Sequence, residues 1–225
     1  MQSQFVQKSK FFSVSAFASV CAALLATFAM TLPARAQGLP DVVRLDIPQA
    51  TPDNSKVEVI EFFAYGCGHC AVLEPRLAAW VKTLGPEINF RRVPVSANGF
   101  SMRGVDSAPM YYTLEAMGLL ATMHEKVFAA LNEEGAMLGS PNVLRAWLTK
   151  QGIDADKFDA AAASFGVSSK VAQARRMTAD YQLRSTPTIS VGGRFNVTQG
   201  ANPSSKLFFA KVEELAAQLR SAKKG

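Results

Sequence analysis

The sequence predicts an α/β protein whose small sheet domain is interrupted by a block of helices. Three observations carry that prediction. A β-branched and aromatic run, Val57 to Tyr65, leads into Cys67-Gly68-His69-Cys70 and then into apolar residues at helical spacing. From Ala97 to about Tyr181 the pattern is helical throughout. Strand-like residues return only after that, as a hairpin followed by one amphipathic helix.

Taken in order, residues 1–36 read as a cleaved signal peptide. Lys8 and Lys10 make a basic start, the apolar run is densest from Val20 to Leu32, and Ala34-Arg35-Ala36 puts small residues at the cleavage positions. An uncleaved membrane anchor is the alternative. Removal takes Lys8, Lys10, Arg35 and Cys21 but no acid, so the formal charge falls from +6 to +3 and two of the three cysteines remain. So small a surplus, spread along the chain, is a poor footprint for nucleic acid. The 48% hydrophobic content suffices for a real core.

A short strand is expected at Val42 to Ile47, the central strand at Val57 to Tyr65, and a helix at Ala71 to Leu84. Pro75 should kink that helix and Gly85-Pro86 should end it. Ile88 to Val95 reads as the next strand. Helices are expected at Ala108 to Gly118, Met123 to Asn132, Pro141 to Gln151, Asp154 to Ala163 and Ser168 to Tyr181. Ser140-Pro141 supplies a cap and a proline at the first helical position, and Gly152 a C-terminal stop. Thr188 to Val191 and Arg194 to Val197 form a hairpin across Gly192-Gly193, and Ser204 to Ala222 is the last helix.

Cys67 and Cys70 are too close in sequence for their bond to be a useful staple. Structural zinc needs four ligands, and only His69 and His124 could add to the pair. Haem attachment needs a histidine directly after the second cysteine, where Ala71 stands. Dithiol–disulfide exchange is the reading that remains strongest. Cys67 falls at a helix N-terminus, where unpaired N–H groups and the dipole stabilise a thiolate. It is expected to be the exposed nucleophile and leaving group, with Cys70 shielded and resolving the mixed disulfide. His69 is expected to hold the thiolate by hydrogen bond or charge. A depressed thiol pKa stabilises the dithiol form and makes the disulfide an oxidant.

Several stretches together are specific: Glu61-Phe62-Phe63, Cys67-Gly68-His69-Cys70, the helical insertion, Val171-Ala172-Gln173, Gln182-Leu183-Arg184, and Thr186-Pro187 before a strand. On these the chain resembles the DsbA family of periplasmic thiol:disulfide oxidoreductases. The resemblance implies a thioredoxin fold with an inserted all-helical domain, residues 37–96 and 182–225 forming the thioredoxin-like part and 97–181 the insertion. It implies a cis bond at Thr186-Pro187 that presents the Thr186 backbone to a substrate peptide, with apolar contacts around Tyr65 and Gly66. Glu61 matches the family's buried acid beside Cys70. Glu74 and Arg92 either extend that network or form a surface ion pair. Arg92 stands where better-known members have lysine. The resemblance further implies no cofactor or metal beyond the Cys67–Cys70 disulfide. It implies a monomer acting on reduced or unfolded exported proteins and reoxidised by a DsbB-type quinone-linked membrane protein.

Gly68-His69 departs from the Pro-His of the enterobacterial enzyme and matches protein disulfide isomerases. An isomerase, or a reductase serving cytochrome maturation, is therefore the alternative. The short stretch between Ala36 and Val57 leaves no room for an isomerase's dimerisation domain, and the long insertion disfavours a minimal reductase. A metal-carrying module at Cys67 and Cys70 and a glutathione-dependent enzyme are further alternatives.

Overall fold

The computed structural model describes residues 39–96, 104–200 and 204–224, so the expected signal peptide lies outside the described residues. The described strands are β1 (Asp41–Arg44), β2 (Val57–Phe63), β3 (Ile88–Pro94), β4 (Thr188–Val191) and β5 (Phe195–Thr198), in the sheet order β1-β5-β4-β2-β3. Only β2 and β3 pair in parallel, and α1 (Gly68–Val81) makes the crossover that a parallel pair requires. Between β3 and β4 come α2 (Ser107–Ala116), α3 (Leu120–Asn132), α4 (Pro141–Lys150), α5 (Ala155–Ala162) and α6 (Phe165–Asp180). After β5 comes α7 (Ser205–Lys224). This is the order read from the sequence.

Every residue of β2 is buried, which is why it reads as a near-continuous apolar run. Its side chains alternate between two cores. Val57 and Val59 pack with Leu73 and Leu77 of α1 and Phe208 and Val212 of α7. Ile60 and Phe62 join Ala108, Val127, Phe128 and Ala174 of the insertion. Trp80 fastens α1 to α7: its ring stacks on Phe209 at 4.7 Å, and its Nε1–H donates to Glu213 Oε1 at 2.7 Å.

The boundaries differ from expectation where side chains or long-range bonds intervene. β2 stops at Phe63 because the Cys67 N–H turns back to the Ala64 carbonyl at 3.0 Å. α1 starts at Gly68, not Ala71, because the Cys67 side chain caps it. β1 ends at Arg44; beyond it Leu45 and Gln49 donate to the carbonyls of Arg194 and Gly193. Ser140 occupies the cap position of α4 but its hydroxyl makes no capping bond, leaving Pro141 as the start signal.

The turn between β4 and β5 needs both its glycines. Gly192 and Gly193 have φ of 60° and 63°, the left-handed pair of a tight hairpin. A Cβ on Gly193 would also run into the Gln49 carbonyl. Gly193→Ala should therefore lower stability by about 2 kcal/mol, read as a shifted urea midpoint with unchanged slope.

Candidate active site

The end of β2 and the start of α1 are joined by Ala64, Tyr65 and Gly66, and Cys67 is the cap of α1. Its backbone is extended (φ −83°, ψ 112°), as a cap residue's must be, and its Sγ accepts the Cys70 N–H at 3.4 Å. Sulfur here stands where serine or aspartate oxygen usually does. The Cys67 sulfur lies 3.3 Å from the Thr186 carbonyl, to which its protonated form donates, and the Thr186-Pro187 bond is cis. Both cysteines are free thiols. Cys67 is less exposed than the sequence reading expects, at 4%, against 0% for Cys70; the exposed residues of the turn are Gly68 and His69.

The environment drives the two thiols apart. A hydrogen bond from the Cys70 side chain is the main reason Cys67 falls from about 9 to about 5. Burial opposes it, while the Thr186 side chain and the Cys70 and His69 backbone amides assist. Thr186 Oγ1 is buried and has no hydrogen-bond partner, so its proton is free to turn toward the sulfur. Cys70 moves well above the ordinary thiol range, first through burial, then through its hydrogen bond to Cys67 and the charge there. One sulfur is thus a thiolate at neutral pH and the other a thiol.

His69 acts on Cys67 through its backbone amide. Its side chain lines a groove with Ser185, Thr186, Pro187, Thr198, Gln199 and Gly200. Gly68 has open space at its Cβ position, so the turn does not need glycine there.

Beneath the pair lies a charged cluster. Glu61 of β2 is 0% exposed, and Arg92 of β3 stands opposite it in the sheet. Arg92 Nε is 3.1 Å from Glu61 Oε2, and its Nη2 donates to Glu74 Oε1 at 2.6 Å. Glu74 is itself 3% exposed, so this is not a surface ion pair. One guanidinium serves two buried carboxylates. The Glu61 pair lies off the hydrogen-bond line, leaving both Glu61 oxygens without such a bond. Burial foremost, and then the charge of Glu74, raise Glu61 to about 8 against the pull of Arg92. Glu61 therefore keeps its proton at neutral pH.

Tyr65 corrects a second expectation. Expected at the substrate surface, it is 0% exposed and turned into the insertion. Its N–H donates to Ser107 Oγ at 2.8 Å and its carbonyl accepts from Asn132 Nδ2 at 2.8 Å. Its hydroxyl meets His124 Nδ1 at 2.9 Å. Gly66 is buried beside it. Nothing in the local sequence marks Ser107, Asn132 and His124 as partners of this turn. They lie 42, 67 and 59 positions from Tyr65, and no local pattern encodes such contacts. The one available signal was a histidine among the apolar residues of α3. Glu58, paired with Arg91 at 2.8 Å, is a further buried carboxylate missed in the same way.

Because Cys70 is the largest cause of the Cys67 shift, Cys70→Ala should raise the Cys67 pKa by about one unit or more. Thr186→Ala should raise it less. Thiolate ultraviolet absorbance against pH checks both.

The sequence profile of the DSBA-like thioredoxin domain matches residues 96–211. The thiol:disulfide interchange protein DsbA of Bordetella parapertussis is 35% identical over 174 residues, covering 77% of this chain and 81% of that protein. The protein of the same name from Azotobacter vinelandii is 36% identical over 177 residues, covering 78% and 80%. The crystal structure of Pseudomonas aeruginosa DsbA superposes with a TM-score of 0.75 at 28% identity, covering 83% of this chain and 95% of that one. Those proteins share the inserted thioredoxin fold described above, and the chain belongs to the DsbA family.

Proposed function

We propose that this protein oxidises newly exported polypeptides by giving up its Cys67–Cys70 disulfide. The chain is a dithiol–disulfide oxidoreductase, and the observation that carries its direction is the capped, low-pKa sulfur of Cys67 beside the buried, high-pKa sulfur of Cys70.

The steps follow from the geometry. A substrate thiolate attacks Cys67 Sγ. The S–S bond breaks and its electron pair leaves with Cys70 Sγ, which takes up a proton because its pKa is high. Glu61, close enough to perturb Cys70 and protonated at neutral pH, supplies that proton. A second substrate thiolate then attacks its neighbour's sulfur in the mixed disulfide. Cys67 departs as a thiolate, a good leaving group at a pKa of about 5. The Thr186 backbone and the groove running to Gly200 hold the substrate strand. Arg92 and Glu74 set the charge around Glu61.

The magnitude supports donation. Two pH units between pH 7 and a pKa of about 5 favour the dithiol form by a factor of about 100, or about 60 mV at roughly 30 mV per tenfold. This is an upper bound, since solvent at the rim of the sulfur screens its charge.

The working unit in this proposal is a monomer that needs no cofactor beyond its own disulfide. It comprises a thioredoxin-like part, 37–96 and 182–225, and an insertion, 97–181. The apolar N-terminal run would direct export, which puts the work in the periplasm. A DsbB-type quinone-linked membrane protein would restore the disulfide.

The depressed pKa stabilises the folded dithiol form fully above the ordinary thiol pKa near 9, and that stabilisation is lost as pH falls through about 5. The reduced protein should gain urea resistance relative to the oxidised protein between about pH 4 and pH 8; a pH-independent difference would refute the driving force. Equilibration with glutathione should show an oxidising couple, and Cys70→Ala should trap a mixed disulfide at Cys67. A thioredoxin-like potential would instead favour a reductase.

A further inference from the structure

His124 is the one member of the buried polar chain for which the reaction above has no use. Its Nε2 faces Glu74 Oε2 at 3.5 Å, and each of these two buried atoms lacks a hydrogen-bond partner. Its Nδ1 meets the Tyr65 hydroxyl. Phe63, Tyr65, Tyr111 and Phe128 surround the ring edge-on, at centroid distances from 5.2 to 5.8 Å. The side chain is 12% exposed and lines a pocket of ≈ 240 Å³ with Glu74, Arg92, Tyr111 and Glu125. These are the titratable and charged groups that face it, together with Tyr65: Glu74 from α1, Arg92 from β3, Tyr111 from α2, and Glu125 from its own helix.

We propose that the cluster of Glu61, Arg92, Glu74 and His124 holds one proton that Glu61 and His124 share, which makes His124 a positioning residue for the exchange reaction. The inference rests on the reading of Glu61 as proton donor to Cys70.

Charge counting carries it. With Glu74 ionised and Arg92 cationic, the cluster is neutral in two arrangements. Either Glu61 is protonated and His124 neutral, or Glu61 is ionised and His124 protonated. Every other arrangement leaves a net charge in a largely buried site, which is costly. Both neutral arrangements satisfy the ring. In the first, the Tyr65 O–H donates to Nδ1, which places the imidazole proton on Nε2 toward Glu74. In the second, Nδ1–H donates to the Tyr65 oxygen and Nε2–H faces the Glu74 carboxylate. Tyr65 stays a neutral phenol throughout, because burial above all raises its pKa well above the ordinary range.

The consequence for the reaction is a second proton site. As the Cys67–Cys70 bond breaks and its electron pair stays on Cys70 Sγ, the Glu61 proton moves to that sulfur. Glu61 is left ionised beside ionised Glu74, with one guanidinium between them. A proton taken from solvent at His124 then restores neutrality by pairing Glu74 and freeing Arg92 for Glu61. On reoxidation Cys70 returns its proton to Glu61 and His124 releases one to solvent.

The test is a side-chain NMR titration of the full chain with its disulfide closed, following the His124 ring nitrogens and the Glu61 carboxyl carbon. Wild-type protein should show His124 titrating in two steps, the upper one shared with Glu61. In Glu61→Gln the upper step should vanish, leaving a single step. Identical His124 titrations in both proteins would overturn the proposal.

A kinetic arm uses oxidation of a dithiol peptide. His124→Gln should be several-fold slower at the acid end of the profile and should approach wild type at the alkaline end, where His124 can no longer take a proton. A pH-independent deficit, or the same pH-dependent deficit in Tyr65→Phe, would mean that His124 only braces the turn, and would overturn the proposal. Wild-type protein that fails to oxidise the peptide at any pH would refute the proposed function instead, and the NMR titration would still decide proton sharing.

Discussion

Helix α1 begins where a sulfur atom accepts the amide of the helix's third residue, Cys70. Most of what matters in this protein depends on that contact. The Cys67 side chain does the work of a capping serine, and negative charge makes it a better acceptor. The same charge is favoured by the Cys70 thiol and by the Thr186 hydroxyl. Joining that sulfur to Cys70 removes the charge these groups are arranged around. The local geometry that starts a helix is therefore also the geometry that favours giving the disulfide away.

A second constraint lies one layer deeper. Burying two carboxylates with one guanidinium leaves the site a proton short of balance, and Glu61 is where burial puts that proton. Such an arrangement contributes little to stability, because desolvation of the charges offsets most of their attraction. Its value is chemical. It keeps an acid protonated at neutral pH, close enough to Cys70 to perturb that thiol.

What could be read from the sequence was what neighbours in the chain decide. The β-branched run of β2, the turn that follows it, the helical periodicity of the insertion and the Gly192-Gly193 hairpin are all local signals, and each element lies where they pointed. The errors have equally physical causes. The start of α1 was placed three residues late because a cysteine is not an ordinary capping residue. Tyr65 is expected at the substrate surface by resemblance alone; its actual direction is set by Ser107, Asn132 and His124. Ser140 had the right position for a cap without the bond. The burial of Glu61 was foreseeable by resemblance, whereas the burial of Glu74 and the reach of Arg92 to both carboxylates required the packed sheet and helix.

The two peptide groups of Tyr65 have a consequence for anyone who would simplify this molecule. Both are bonded to side chains from the intervening helices, so the loop bearing the reactive sulfurs is suspended from a part of the chain that a bare thioredoxin lacks. Excising those helices to make a minimal catalyst would strip the loop of its moorings as well as its roof. Exchanging them between relatives would transplant part of the thiol chemistry along with the scaffold.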